Sequence, residues 1–130
     1  MAATYLDSSA IVKLVVREPE TDALRRHLRR RRTLITSALA RTEVLRAVLP
    51  GGEAAVTAGQ RVLSRFDLVR VSDRLLRGAG VLLPLDLRSL DAVHLATAGY
   101  IGSDLGEIIT YDQRMAVAAQ QMGYKVSSPA

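Results

Sequence analysis

The sequence contains no cysteine and no tryptophan, and its aromatic residues are one phenylalanine and four tyrosines. The absence of cysteine excludes disulfide bonds and thiol catalysis, and it fits the cytoplasmic location that we expect for this protein. Because aromatic rings are so few, a platform that stacks single-stranded bases is not evident. Histidine occurs only at His27 and His94, which leaves little from which to build a nucleophile–histidine triad.

Long apolar runs and phosphate-binding motifs are also missing. The longest apolar stretches, near residues 10–16 and 78–85, are too short to span a membrane, and the N-terminal MAATYLD has no basic leader, so we expect neither an anchor nor a secretion signal. No Gly-x-Gly-x-x-Gly or Walker motif is present, which disfavours dinucleotides and nucleoside triphosphates. With 130 residues, 48% of them hydrophobic and 24% charged, residues 1–130 are predicted to form one globular domain.

Positive charge is unevenly distributed. The formal net charge is +5, and 16 of the 18 basic residues are arginine. Arginine forms forked contacts with phosphate, so a nucleic-acid partner is plausible. On the predicted helix that begins near residue 19, four arginines form one stripe: Arg25, Arg26, Arg29 and Arg30. Charge alone does not distinguish an RNA-binding stripe from a solvated helix face.

Short apolar or β-branched runs alternate with helical patterns along the chain. Strands are predicted at residues 4–6, 33–36, 68–71 and 108–111, with a short fifth at 124–127. Helices are predicted at residues 10–16, 53–65, 90–100 and 113–122. Three further helices are predicted with one bound each: one begins near residue 19, one ends near residue 49, and one begins at residue 73. Hydroxyls of Ser8, Ser9 and Ser37 are expected to cap the first and third helices. The alternation predicts a three-layer α/β/α sandwich around a parallel sheet.

Four of the thirteen carboxylates stand out by position. Asp7 and Asp112 each follow a predicted strand directly, while Glu43 and Asp91 lie in helices that begin soon after a strand or connector. The carboxyl ends of parallel strands are where such sheets place their sites. Acids among apolar neighbours are costly unless they are paired, and Mg²⁺ or Mn²⁺ would stabilise them. Taken singly, each acid also fits a helix cap, a partner of the helix dipole or an ion pair.

Four stretches, in this order, resemble a known family. They are Tyr5-Leu6-Asp7-Ser8-Ser9-Ala10, Thr42-Glu43-Val44, Ser89-Leu90-Asp91-Ala92-Val93-His94-Leu95-Ala96 and Ile109-Thr110-Tyr111-Asp112-Gln113-Arg114-Met115. With them the chain resembles the PIN-domain ribonucleases, and more narrowly the VapC toxins of bacterial toxin–antitoxin pairs. The resemblance implies a Rossmann-like sheet with the strand order 3-2-1-4-5.

The resemblance also implies the site. Asp7, Glu43, Asp91 and Asp112 would together hold Mg²⁺ or Mn²⁺, with Asp7 and Asp91 as the most direct ligands, for the hydrolysis of RNA phosphodiester bonds. Hydroxyls of Ser8, Ser9 and Thr110 would support these ligands. Arg88 and Arg114 either meet phosphates or balance the charge of an acidic pocket.

Partners follow from the same resemblance: an RNA substrate, a VapB-like antitoxin and a second copy of the chain. The apolar residues that we expect to serve a partner or a homodimer lie on two helices: Ile11, Val12, Leu14, Val15 and Val16, and Val44, Leu45, Val48 and Leu49. The alternative is that these residues form the core.

Two other functions remain open at this point. A phosphoacceptor signalling domain also uses acids at strand ends, and Asp73 and Lys125 would complete its set, although Asp7 is not paired with a second acid. A non-catalytic module of the same fold that binds nucleic acid or protein is the second alternative. The intact set of four acids favours the ribonuclease.

Overall fold

The computed structural model describes residues 2–130, which form one five-stranded sheet with helices on both faces. The strands are β1 (Ala3–Leu6), β2 (Leu34–Ser37), β3 (Asp67–Val69), β4 (Leu105–Ile109) and β5 (Val126–Ser127). The helices are α1 (Ser8–Val15), α2 (Thr21–Leu28), α3 (Ala40–Val48), α4 (Glu53–Leu63), α5 (Asp73–Gly80), α6 (Ser89–Ile101) and α7 (Gln113–Gln121). Within residues 2–130, no helix has the length and apolar character needed to cross a membrane.

All strand pairs are parallel, and the strand order is β3-β2-β1-β4-β5. The predicted α/β sandwich and its strand order are confirmed. From β1 the chain builds β2 and β3 on one side and then crosses to β4 and β5 on the other. The order therefore reverses between β1 and β4, where open parallel sheets form their binding crevice.

The side chains of β1 alternate between two hydrophobic clusters, as the two-residue period of a strand requires. Leu6 packs into a cluster with Ile11 of α1 and Val44 of α3. Tyr5 packs on the opposite face with Leu95 of α6. All of these side chains are fully buried, and each fully buried large apolar side chain contributes about 1.5–3 kcal/mol to the hydrophobic stabilisation.

The predicted serine caps are wrong. Helix α1 begins at Ser8, and its N-cap is Asp7, whose side chain accepts a hydrogen bond from the Ala10 backbone N–H at 3.1 Å. Ser37 is the last residue of β2, and α3 begins three residues later. The Ser37 hydroxyl accepts from the Leu39 N–H at 3.1 Å, so it closes a turn before the helix instead of capping it.

Strand β4 also differs from its prediction, because it begins at Leu105 and ends at Ile109. Its first half contains Gly106 and Glu107, which are unusual in a strand and concealed its start in the sequence. Glu107 is nevertheless only 4% exposed. Its carboxylate accepts hydrogen bonds from Arg31 Nε at 2.7 Å and Ser127 Oγ at 3.0 Å, and it is paired with His27 Nε2 at 2.8 Å. The side chain of His27 is only 24% exposed.

Candidate active site

Asp7 lies at the carboxyl end of β1 and is 4% exposed. Its Oδ1 accepts hydrogen bonds from Ser9 Oγ at 2.6 Å and from the Ala10 N–H at 3.1 Å, and its Oδ2 accepts from Thr110 Oγ1 at 2.6 Å. Burial raises the pKa of Asp7, although these hydrogen bonds oppose the shift. Both oxygens are therefore held in fixed directions.

Asp112 follows β4 and is the N-cap of α7. Its Oδ1 accepts from the backbone N–H groups of Arg114 at 2.9 Å and Met115 at 3.2 Å. The Asp112 N–H in turn donates to Thr110 Oγ1 at 3.1 Å. Because Thr110 also donates to Asp7, one hydroxyl connects the residues that follow the two central strands.

Glu43 lies in the first turn of α3. Its Oε1 accepts a hydrogen bond from Ser8 Oγ and another from His94 Nε2, each at 2.6 Å. On the far side of the imidazole, His94 Nδ1 lies 2.6 Å from the hydroxyl of Tyr5. Burial raises the pKa of Glu43, but the hydrogen bond and charge of His94 and the hydrogen bond of Ser8 outweigh burial and lower it.

Asp91 lies in the first turn of α6. Its Oδ2 is buried and has no hydrogen-bond partner among residues 2–130. The pKa of Asp91 is raised, first by burial and then by the negative charges of Asp112 and Asp7, against the opposing charges of His94 and Arg88. Asp91 thus lies close enough to Asp112 and Asp7 for their charges to disfavour its ionised form.

A divalent cation fits this arrangement. The side chains offer carboxylate oxygens, which Mg²⁺ and Mn²⁺ prefer, and one of these oxygens is buried without a partner. Leaving a buried acceptor unsatisfied costs about 1–3 kcal/mol, and more for a charged group. Among residues 2–130, no three histidine or acidic side chains are grouped closely enough to hold a metal ion as they stand. An ion would therefore have to draw the carboxylates closer together.

Two arginines border the acids. Arg88 is exposed and is the N-cap residue of α6, and its charge opposes the raised pKa of Asp91. Arg114 is exposed in the first turn of α7, two residues after Asp112. Both arginines are therefore placed beside the acidic site and open to solvent.

The arginine stripe lies elsewhere. Arg25, Arg26, Arg29 and Arg30 are all exposed, but the chain from Arg29 leads into the start of β2, at the amino edge of the sheet. Arg30 lines a shallow depression there together with Gly106 of β4 and Lys125. From Gly106 to the end of β4 at Ile109 the strand covers about 10 Å at 3.3 Å per residue, and Asp112 follows three residues later. The structure therefore does not bring the stripe and the acids together.

Asp73 and Lys125, which a phosphoacceptor domain would need, are also not gathered at the site. Asp73 is exposed at the start of α5. Lys125 lies at the opposite edge of the sheet, 4.0 Å from Glu107.

Sequence reasoning missed the contacts made by Tyr5 and His94. His94 is 2% exposed and contacts Glu43 directly. One signal was available: His94 follows Asp91 by three residues, so both lie on adjacent turns of one helix face. The alternation of β1 also directed Tyr5 towards the face that α6 covers.

The comparisons with known proteins agree with this geometry. The PIN domain model matches residues 4–121. Ribonuclease VapC46 of Mycobacterium tuberculosis is 60% identical over 129 residues, which cover 99% of each chain. Ribonuclease VapC35 of the same organism is 41% identical over 130 residues, which cover 96% of each chain.

Among solved structures, VapC20 of Mycobacterium tuberculosis, a toxin that cleaves the sarcin–ricin loop, has a TM-score of 0.75 at 18% identity. The match covers 97% of this chain and 99% of VapC20 and supports the fold. The family model and the sequence relatives together show that the chain belongs to the PIN-domain family and, within it, to the VapC-type ribonucleases, the toxins of toxin–antitoxin pairs.

Proposed function

We propose that this VapC-type protein, acting as one PIN-like domain, cleaves RNA internally with a divalent metal ion, Mg²⁺ or Mn²⁺, bound by Asp7, Glu43, Asp91 and Asp112. The main support is the buried Oδ2 of Asp91, which lacks a partner and lies close to two further carboxylates. PIN ribonucleases generally depend on divalent metal ions. The donor set and the family thus point to the same chemistry.

When bound, such an ion lowers the pKa of a coordinated water molecule and offsets the negative charge that develops on the phosphate oxygens. The protein's own residues prepare the site for it. Ser9 and Thr110 fix both oxygens of Asp7, which makes that carboxylate a rigid anchor. Ser8 and His94 occupy only Oε1 of Glu43, so Oε2 is the oxygen that we assign to the metal ion or to a water molecule that the ion holds.

RNA binding rests on charge in this proposal. Arg88 and Arg114 border the acids, and we assign them to the phosphates that flank the cleaved bond. Arg25, Arg26, Arg29 and Arg30 would contact the RNA at a distance from that bond, because Arg30 lies beside Gly106 and Lys125 at the amino edge of the sheet. Only an RNA that extends around the domain reaches both the two arginines beside the acids and the four arginines of the stripe.

We further propose control by a VapB-like antitoxin in the cytoplasm and assembly as a homodimer. A partner's arginine or lysine side chain would pair with Asp7 or Asp91 and exclude the metal ion. Of the nine apolar residues predicted for these contacts, Ile11, Val44 and Val48 are buried. Four more are partly buried and pack against the core: Val12, Leu14, Val15 and Leu45. Val16 and Leu49 remain exposed for a partner.

The catalytic proposal is tested with the purified chain, a folded RNA and controlled metal. Asp91→Asn should reduce cleavage by at least about a hundredfold and keep the fold, because it removes one of the crowded charges. Asp73→Asn, which changes an exposed aspartate outside the site, is the matched control and should cleave as wild type does. Excess EDTA should abolish cleavage and added Mn²⁺ should restore it. Undiminished cleavage in EDTA would refute metal dependence.

Control and assembly are tested in cells and in solution. Expression of the chain alone should slow growth, whereas Asp91→Asn should not, and a small protein encoded beside the gene should restore growth. Light scattering should give the mass of a dimer. A monomeric chain that is harmless on expression would contradict this part of the proposal.

A further inference from the structure

A buried line of three side chains connects the sheet to the acidic site. The Tyr5 hydroxyl in β1 lies 2.6 Å from His94 Nδ1 in α6, and His94 Nε2 lies 2.6 Å from Glu43 Oε1 in α3. Tyr5 is fully buried and His94 is 2% exposed. The rings of Tyr5 and His94 also meet edge to face, with centroids 5.8 Å apart. Three different elements therefore fix the position of one imidazole.

The direction of the hydrogen bonds follows from the chemistry of the groups. An ionised carboxylate only accepts, so Nε2 of His94 bears the hydrogen that is shared with Glu43. The Tyr5 hydroxyl both donates and accepts, so it contacts Nδ1 in either protonation state: it donates to the neutral ring and accepts from the protonated ring. The donated hydrogen bond directs Glu43 Oε1 towards the protein interior.

Ser8 adds a second hydrogen bond to the same oxygen. Because both donors hold Oε1, rotation of the Glu43 carboxylate is restricted and Oε2 keeps one orientation. A glutamate has three side-chain torsions, and holding it in one geometry costs rotamer entropy that fixed donors offset. Replacing a residue that hydrogen-bonds to a metal-ligating side chain commonly lowers metal affinity or activity by about 10- to 100-fold.

We infer that His94 is a positioning residue, held by Tyr5, that fixes the Glu43 carboxylate for metal binding and RNA cleavage. This inference rests on the proposed function, because it assigns Glu43 to the metal site. His94 does not touch the substrate in this account. Its effect passes entirely through Glu43.

The test uses His94→Leu, which removes both ring nitrogens, and His94→Gln, which keeps an amide N–H for Glu43. Mn²⁺ binding to the metal-free protein is measured by calorimetry, and RNA cleavage is measured as kcat and KM. His94→Leu should weaken Mn²⁺ binding and lower kcat by about 10- to 100-fold with little change in KM. His94→Gln should recover a substantial part of both. Tyr5→Phe, which removes only a hydroxyl, should act in the same direction but more weakly.

A matched control lies at the other edge of the sheet. His27 is also paired with a glutamate, through Nε2 and Glu107 Oε1 at 2.8 Å, but this pair is remote from the acids. His27→Leu should cost stability without changing Mn²⁺ affinity. Unfolding in urea separates the two effects for every variant.

The decisive measurement is a double-mutant cycle with Glu43→Gln. If His94 acts through Glu43, adding His94→Leu to Glu43→Gln should cause no further loss of Mn²⁺ affinity. If the losses of Mn²⁺ affinity in the two single variants add in full in the double variant, His94 has a merely structural role and the inference is overturned. A folded His94→Leu with wild-type Mn²⁺ affinity and kcat would overturn it as well. If Glu43→Gln itself binds Mn²⁺ and cleaves as wild type does, the proposed function fails first, and the two failures are thereby distinguished.

Discussion

Thr110 donates a hydrogen bond of 2.6 Å from its Oγ1 to Oδ2 of Asp7, although the two residues are separated by 103 positions in the chain. The residues follow β4 and β1, which are neighbours in the sheet. The same Thr110 oxygen accepts the Asp112 N–H at 3.1 Å. One fully buried hydroxyl thus joins two acids of the site across the point where the strand order reverses.

Thr110→Val should therefore weaken both stability and activity. Valine has the shape of threonine but neither donates to Asp7 nor accepts from Asp112, so two buried polar groups lose a partner. We expect a loss of about 1–3 kcal/mol in the free energy of unfolding, measured in urea, together with slower RNA cleavage. Thr57→Val on the exposed side of α4 is the control and should stay within about 0.5 kcal/mol of wild type. Equal stability of the two variants would contradict this role of Thr110.

Asp91→Asn should change stability in opposite directions with and without metal. In EDTA the variant should unfold at higher urea than wild type at neutral pH, because the raised pKa of Asp91 means that its ionised form is disfavoured in the folded state. The difference should vanish in acid, where Asp91 is protonated. With Mg²⁺ at about 100 times its Kd, wild type gains about 2.7 kcal/mol, and the variant should gain less. An advantage of the variant that persists in Mg²⁺ would argue against Asp91 as a ligand.

The placement of Asp7 and Asp112 was predictable because each follows an apolar or β-branched run in the sequence, and parallel strands end at one edge. The sheet order came from resemblance, since periodicity alone does not say which strands are neighbours. The pairing of Tyr5, His94 and Glu43 was not predictable, because it depends on how α6 approaches β1 and α3. Tyr5 and His94 are 89 positions apart, and His94 and Glu43 are 51 positions apart. Nothing local in the sequence encodes such an approach.

The start of β4 was hidden for a different reason. Glu107 is a poor strand residue by itself, and its burial is possible only because His27, Arg31 and Ser127 surround its carboxylate. These partners come from distant parts of the chain. Tertiary contacts thus override the local preference that the sequence shows.

Glu107→Gln should reveal an acid-dependent part of the stability. Burial raises the pKa of Glu107, but hydrogen bonds from His27 and Ser127 and the contact with Arg31 outweigh it, so the pKa lies below its ordinary value of 4.5. A lowered folded-state pKa contributes stability above the unfolded-state pKa, and this contribution is lost as the pH falls through the folded-state value.

In urea unfolding, the free energy of unfolding of wild type should exceed that of Glu107→Gln at about pH 6, and this difference should disappear as the pH falls to about 3. At neutral pH the advantage should be about 1.5–3 kcal/mol, the range for a hydrogen bond to a charged group. Glu53→Gln, an exposed glutamate in the first turn of α4, should show no such convergence. A difference between wild type and Glu107→Gln that stays constant with pH would contradict the assignment.

The exposed arginines at the amino edge should govern RNA affinity and leave the chemical step unchanged. Charge reversal by Arg29→Glu with Arg30→Glu removes two phosphate contacts in our proposal, whereas Arg74→Glu with Arg77→Glu makes the same change in charge on α5. Each lost contact should lower the slope of log K against log salt by about 0.7 to 0.9, so the first pair should lower it by about 1.4 to 1.8. The cleavage rate at saturating RNA should remain close to wild type, because the acids follow the carboxyl ends of β1 and β4 whereas Arg30 lies beside Gly106 near the start of β4. If both pairs change the slope equally, the effect is one of net charge, and Arg29 and Arg30 belong to a solvated face.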